Sequence, residues 1–317
     1  MISGSVWITG AHGFIGRHVA RTFAGEGLTV IGLGHGAWPP LESKKWGMSL
    51  WLNGDISSSN LQALKSAAGS PEYVIHLAGG SSVGAAISQP REDFNRTVVG
   101  TMELLEWLRL ESPETRLLAV STAAVYGAGH SGSIREDDAL RPYSPYGWHK
   151  LMMESICESY AASFGVRSIV ARLFSVHGIG LKKQLLWDLC TKLQGDSKKL
   201  VVGGTGEELR DWVAVEDVAL AFLKMREWAT TEVPRFNVGT GQGISVRRIA
   251  ERLVEAWHGN AGSDTQIVFD GVCRPGDPLR LVASPERLSR MGLACDASIF
   301  QAAAGYATWF KDSRNSV

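Results

Sequence analysis

The stretch Val6-Trp7-Ile8-Thr9-Gly10-Ala11-His12-Gly13-Phe14-Ile15-Gly16 constrains this chain more than any other. It reads as a short apolar strand, a glycine-rich turn and the first turn of a helix. Gly10 can take the positive φ of a tight strand-to-helix turn. Gly13 lacks a Cβ, so a pyrophosphate can approach the backbone, and Gly16 lets the helix lie close to the strand. Phe14 and Ile15 open the helix, whose free N–H groups and dipole suit phosphate oxygens. A glycine spacing alone is weak evidence, but its place between a strand and a helix points to a dinucleotide site.

The rest of the first half keeps the same rhythm. Strand-like runs at 28–33, 48–52, 72–77, 116–120 and 167–173 alternate with helical patterns reaching residue 24, then at 61–67, 94–110 and 144–164. Such alternation predicts an α/β fold with a parallel sheet covered on both faces. After about residue 175 the rhythm breaks. Helices are expected at 181–193, 215–228, 245–257 and 299–310, with short strands at 201–202, 210–213, 236–238 and 267–269. The expected division is a dinucleotide-binding domain over 1–175, with returns near 210–240, and a smaller lobe over 176–317.

Composition excludes several classes. The 317 residues balance at zero formal charge, which gives no reason to expect nucleic acid or an anionic membrane as partner. No apolar run approaches the roughly 18 residues of a membrane span. Cys157, Cys190, Cys273 and Cys295 form no C-x-x-C pair and suggest reduced thiols in a cytoplasmic protein, with no metal site.

Chemistry concentrates in Tyr146-Gly147-Trp148-His149-Lys150, after Pro145, a residue suited to a helix start. Residues four apart share a helical face, so the Tyr146 phenol and the Lys150 ammonium can address one region. The nearby positive charge is expected to lower the phenol's pKa toward the working range of a general acid. Ser121-Thr122-Ala123-Ala124-Val125-Tyr126-Gly127 follows a strand, where the Thr122 hydroxyl can bond a carbonyl or alkoxide beside the tyrosine, or simply cap a turn.

These segments, together with Asp55-Ile56, His76-Leu77-Ala78-Gly79, Arg172-Leu173-Phe174-Ser175-Val176-His177-Gly178, Arg210-Asp211-Trp212-Val213 and Arg274-Pro275-Gly276-Asp277, occur in an order that resembles the extended short-chain dehydrogenases/reductases of the nucleotide-sugar epimerase/dehydratase group. The resemblance covers nearly the whole chain. It implies a Rossmann-type doubly wound parallel sheet with a mixed α/β C-terminal substrate lobe, and a homodimer built from the helices at 94–110 and 144–164. It implies Tyr146 as acid/base, Lys150 on the nicotinamide ribose, and Thr122 on the sugar oxygen. Asp55 and Ile56 would hold the adenine side of the cofactor, and Leu77, Ala78 and Gly79 would line its path. Ser175 would lie near the sugar or its phosphate, and Arg210 and Arg274 would hold the nucleotide diphosphate, where guanidinium groups suit phosphate oxygens.

Departures from the family pattern narrow the expectation. Dehydratases of the group resemble acidic versions of the segment where this chain has Ala123 and Ala124, side chains that cannot move a proton. What remains is hydride chemistry at one carbon, at the 4-position of a hexose. Gly34 stands at the end of the second strand where NAD-type members resemble Asp, leaving no carboxylate there to repel a 2′-phosphate, which His35 or Arg17 could meet. That favours NADP, with NAD possible, and an NADPH-dependent reductase of a nucleotide-linked 4-keto-6-deoxyhexose. The alternatives are a 4-epimerase with tightly held NAD and, more distantly, a non-catalytic cofactor-binding module. Thr97 stands where the family usually has Asn, and Ser175 where many members have Asn. His177 replaces a usual tyrosine and is read as a packing residue.

Overall fold

The computed structural model describes residues 4–195, 198–259, 264–272, 277–296 and 299–315. In chain order the elements are β1 (Ser5–Thr9), α1 (Phe14–Gly25), β2 (Thr29–Gly34), α2 (Pro40–Lys45), β3 (Met48–Asn53), α3 (Ser58–Ala68), β4 (Tyr73–His76), α4 (Val83–Ser88), α5 (Pro90–Phe94), α6 (Gly100–Glu111), β5 (Arg116–Thr122), α7 (Pro145–Phe164) and β6 (Ser168–Leu173). They continue as β7 (Ser175–His177), α8 (Gln184–Gly195), β8 (Lys199–Val202), β9 (Leu209–Ala214), α9 (Val215–Met225), β10 (Arg235–Val238), β11 (Gly243–Ser245), α10 (Val246–His258), β12 (Gln266–Phe269), β13 (Arg280–Leu281), α11 (Glu286–Ser289) and α12 (Ile299–Asn315).

Two compact units divide the chain. The first takes the chain up to Gly127, then Glu136–Leu173 and Glu216–Val238. Its sheet runs β10-β6-β5-β4-β1-β2-β3, and every neighbouring pair is parallel. This is a Rossmann-like sheet with the order 3-2-1-4-5-6 extended by one edge strand. The order reverses between β1 and β4, where such sheets open a crevice at the strands' carboxyl ends. Strand β6 is buried along its whole length and β4 likewise, as expected when helices cover both faces. On one face Trp7 stacks on Trp107 of α6 at 5.3 Å within a core that includes Leu104, Leu117, Met153 and Cys157. Serine side chains cap helix starts: Ser57 accepts from Asn60 N, Ser82 from Ala85 N and Ser144 from Gly147 N.

The helical pattern at 94–110 is broken in the structure. Helix α5 ends at Phe94, a π-helical turn spans Asn95–Val99, and α6 starts at Gly100. The second unit comprises Ala128–Arg135, Phe174–Val215 and the chain from Gly239 on. There β9 sits between β11 and β13 and also pairs with β7, while β12 pairs with β8. Of the two segments expected to return to the main sheet, β10 does so beside β6, and β9 does not. Among the described residues no helix is long and apolar enough to cross a membrane, and no group of three His, Cys, Asp or Glu side chains could hold a metal ion.

Candidate active site

In the first unit, the glycine turn lies at the carboxyl ends of β1 and β4. Gly10 has φ +73°, and a Cβ there would come within 2.9 Å of Ala78 N. A Cβ on Gly16 would sit 2.4 Å from the Gly10 carbonyl oxygen and 2.7 Å from Ala11 Cα. Gly13 is exposed, and its Cβ position meets only the Gly10 oxygen, at 3.1 Å. No side chain caps the start of α1, and no carboxylate lies in its first turn. A turn closed on the strand side, open at Gly13 and lined by uncapped N–H groups fits a dinucleotide's phosphates. Phe14 and Ile15 are half-buried beside it, and Leu77, Ala78 and Gly79 form the facing turn after β4.

Buried groups fix that facing turn. Thr97 Oγ1 accepts from Gly80 N at 2.8 Å, and the Thr97 carbonyl accepts from Thr101 Oγ1 at 2.6 Å. With its proton so committed, Thr101 Oγ1 must accept from His76 Nε2, 2.9 Å away. His76 Nδ1 then accepts from Thr9 Oγ1 at 2.7 Å, and Thr9 accepts from Ala78 N. Burial and the Lys150 charge push His76 down to about 3, so it is a neutral bridge between β1, β4 and α6. Thr97, the departure from the family's Asn, thus holds the turn through its hydroxyl.

Thr122, at the end of β5, does two things at once. Its hydroxyl caps the 3₁₀ turn Ala123–Val125, accepting from Ala124 N at 3.2 Å, and hydrogen-bonds the Tyr146 phenol. Lys150, one turn along α7, is buried, with Nζ donating to the Val120 carbonyl at 2.8 Å. A Cβ on Gly79 would lie 3.4 Å from that Nζ. The expectation that Lys150 lowers the Tyr146 pKa is corrected here. Burial pushes the phenol up to about 12, the Thr122 hydrogen bond opposes this, and the Asp93 charge adds to it. Lys150 falls to about 8 through desolvation, against the charges of Asp93, Glu154 and Cys157.

The preference for NADP read from Gly34 finds no support. Asp55 Oδ1 lies 2.9 Å from His35 Nε2, so a carboxylate does stand beside the end of β2. Arg17 is engaged elsewhere: Nε donates to the His12 carbonyl at 2.9 Å, Nη1 approaches Glu42 at 3.3 Å, and the guanidinium lies over Trp38. Ile56 is half-buried and packs against the core.

Sequence reasoning missed the buried polar network behind the site. Arg172 makes paired hydrogen bonds to Glu154 (Nη2 to Oε2 at 2.7 Å, Nε to Oε1 at 3.0 Å) and donates to the Tyr126 hydroxyl and the Glu136 carbonyl. Tyr126 donates to Asn237, and Ser121 donates to Glu154. Glu154 lies one turn beyond Lys150 on the same helical face, which was the available signal.

In the second unit, Ser175 and Arg210 line one cavity of about 370 Å³ with Trp212, Glu208, Asp270 and Asp277. Arg210 Nη1 donates to the carbonyls of Leu209 and Pro278, both at 2.9 Å. Asp211 is buried and accepts from Thr240 N, Thr240 Oγ1, Gly241 N and Ala283 N, a structural knot at the back of β9. His177 is buried on β7. Arg274 and Cys273 lie outside the described residues.

A family model described as the NAD dependent epimerase/dehydratase family matches residues 6–239. The chain is 30% identical over 303 residues to a UDP-glucose 4-epimerase of Azospirillum brasilense, covering 89% of this chain and 84% of that one. Among solved structures it resembles the Thermotoga maritima UDP-glucose 4-epimerase with UDP-glucose (TM-score 0.85, 25% identity, 98% of this chain and 99% of that one). It also resembles the Thermus thermophilus UDP-glucose 4-epimerase in complex with NAD (TM-score 0.82, 27% identity, 97% and 99%).

Proposed function

Because the chain belongs to the NAD dependent epimerase/dehydratase family, we propose that it is a nucleotide-sugar 4-epimerase that keeps NAD bound through turnover. The observation that carries this reading is the Tyr146 phenol hydrogen-bonded to Thr122 at the end of β5, with Lys150 against the Gly79 turn. The Asp55 carboxylate beside His35 supports NAD over NADP, because a 2′-phosphate would meet negative charge there. The names of the relatives support the epimerase over the 4-ketoreductase.

The fold supplies each role. Gly10, Gly13, Phe14, Ile15 and Gly16 would hold the diphosphate of NAD, Asp55 and His35 its adenosine ribose, and Leu77–Gly79 the nicotinamide side, with Lys150 reaching its ribose. When bound, NAD would supply a reversible hydride acceptor and donor for the sugar carbon. Tyr146 takes the proton of the sugar hydroxyl in the first half and gives it back in the second. Thr122 holds the same oxygen by a hydrogen bond, a preorganised donor where charge develops. Burial and the Asp93 charge favour the protonated phenol, and the Thr122 hydrogen bond opposes them. The second-unit cavity with Arg210 and Ser175 would take the nucleotide, and Arg274 would join it. The exposed apolar side chains Met102 on α6 and Trp148 and Met152 on α7 support a homodimer through these helices.

The test is to purify the chain, release and identify its cofactor, and incubate it with UDP-glucose. The expected result is NAD in near-stoichiometric amount and interconversion of the C4 epimers with no net redox change. NADPH consumption matched to loss of a 4-keto-6-deoxy sugar, with no epimerisation, would replace this reading by the reductase.

A further inference from the structure

The molecule has a carboxylate beside the proposed reaction site that no role above uses. Asp93, on α5, is only 6% exposed. Its Oδ2 lies 2.6 Å from His149 Nδ1 on α7. Its Oδ1 closes over the β4 turn from the other side, where a Cβ on Gly80 would sit 1.8 Å away. Gly79, the neighbouring residue, faces Lys150 Nζ. One two-glycine turn is therefore flanked by the Lys150 ammonium and the Asp93 carboxylate. His149 sits between Tyr146 and Lys150 in sequence, and its ring meets the edge of Phe94 at 5.4 Å.

We infer that Asp93 and His149 form a positioning pair, in which the charge on His149 decides how much of the Asp93 charge reaches Tyr146 and Lys150. The inference rests on the acid/base role proposed for Tyr146. The other groups near the pair are few. Helix α4 packs against α5 and α7 and brings no titratable side chain. Glu92 on α5 and Arg96 in the π-helical turn pair with each other at the surface. Glu154 is bound to Arg172 farther along α7. His76, beneath the turn, is neutral. The Asp93 charge raises the proton affinity of both Tyr146 and Lys150. As imidazolium, His149 cancels that charge; as neutral imidazole, it leaves the charge standing. The pair links the protonation state of His149 to the strength of the phenol as a base.

The experiment uses two variants in the full-length chain, Asp93→Asn and His149→Ser, each also made with Tyr146→Phe. Tyrosinate absorbance, read as the difference between each protein and its Tyr146→Phe counterpart, isolates the Tyr146 ionisation without substrate. Asp93→Asn should move that step down by roughly half to one pH unit. In turnover with UDP-glucose, the acid limb of kcat should move to lower pH in Asp93→Asn and to higher pH in His149→Ser, which leaves the carboxylate uncompensated. Opposite shifts are the signature, because a packing defect lowers kcat without moving the two limbs apart. Superimposed difference titrations of Asp93→Asn and wild type, or limbs that move together, overturn the inference. If the wild type turns over no sugar nucleotide, the functional reading fails, and the tyrosinate titration alone decides this one. Should Asp93→Asn fail to fold, the His149→Ser limb decides it.

Discussion

Tyr146 is a phenol whose surroundings keep it protonated. Burial raises its proton affinity and only the Thr122 hydroxyl opposes this. Tyr146→Phe removes the group that moves the proton while keeping the ring, so turnover should fall by about 100- to 10,000-fold. NAD content after purification and the unfolding temperature should barely change; an unaffected kcat would reject the assignment. Spacing put Tyr146 and Lys150 on one helical face and Thr122 at a strand end, while their roles came from the family resemblance. The electrostatics were not legible. Lys150 is anchored on the Val120 carbonyl, and the charge that acts on the phenol comes from Asp93, a residue more than fifty positions away whose approach depends on the absence of a Cβ at Gly80. Likewise Asp55 reaches the end of β2 from the loop after β3, a placement that the residue at Gly34 does not reveal. Lys150 itself allows a test. Its folded pKa of about 8 is below the ordinary lysine value, so the unfolded chain binds more protons between that pH and about 10.4. Stability attributable to Lys150 should therefore rise with pH across that window. Denaturant unfolding of wild type and Lys150→Met at stepped pH should show the wild type gaining on the variant from pH 8 upward; a constant difference would mean that Lys150 is not desolvated.

At the scale of elements, α7 joins three requirements in one helix. Its first turn carries Tyr146, its second Lys150, and its third Glu154, which ties the helix to β6 through Arg172 and to β5 through Ser121. Glu154 and Arg172 have side chains only 2% and 1% exposed, so removing one partner strands the other's charge. Glu154→Ala should cost about 3–5 kcal/mol of unfolding free energy, read from the midpoint of denaturation, and turnover should fall with the loss of register between β5 and α7. A cost below about 1 kcal/mol would mean that Arg172 finds water or another acceptor. The helix at 94–110 was legible only in part. Hydrophobic period continues through residues 95–99, but the Thr97 hydroxyl binds Gly80 and its carbonyl takes the Thr101 proton, and a π-helical turn lies at that point. Side-chain bonds to a distant turn leave no trace in periodicity.

For the whole molecule, the sheet was legible because alternating buried strands and helices admit few right-handed parallel orders. The second unit was less so: its strands are short, β7 and β13 have three and two residues, and their pairing depends on contacts far apart in sequence. Which cofactor the chain keeps is a property of the whole fold, and it yields the last prediction. A ligand that binds only the folded chain raises its stability by RT ln(1 + [L]/Kd), so about 2.7 kcal/mol at a hundredfold excess over Kd. For a chain of this length, each kcal/mol is worth about 1.5 °C in midpoint. Protein stripped of cofactor should thus melt several degrees higher with excess NAD and little higher with equal NADP, because the Asp55 carboxylate lies beside His35 near the end of β2 and Arg17 is held by the His12 carbonyl and Trp38. Asp55→Ala should narrow the gap between the two nucleotides, by weakening NAD and relieving NADP. Equal shifts with both nucleotides in the wild type would show that the carboxylate does not select, and a larger shift with NADP would return the chain to the reductase reading.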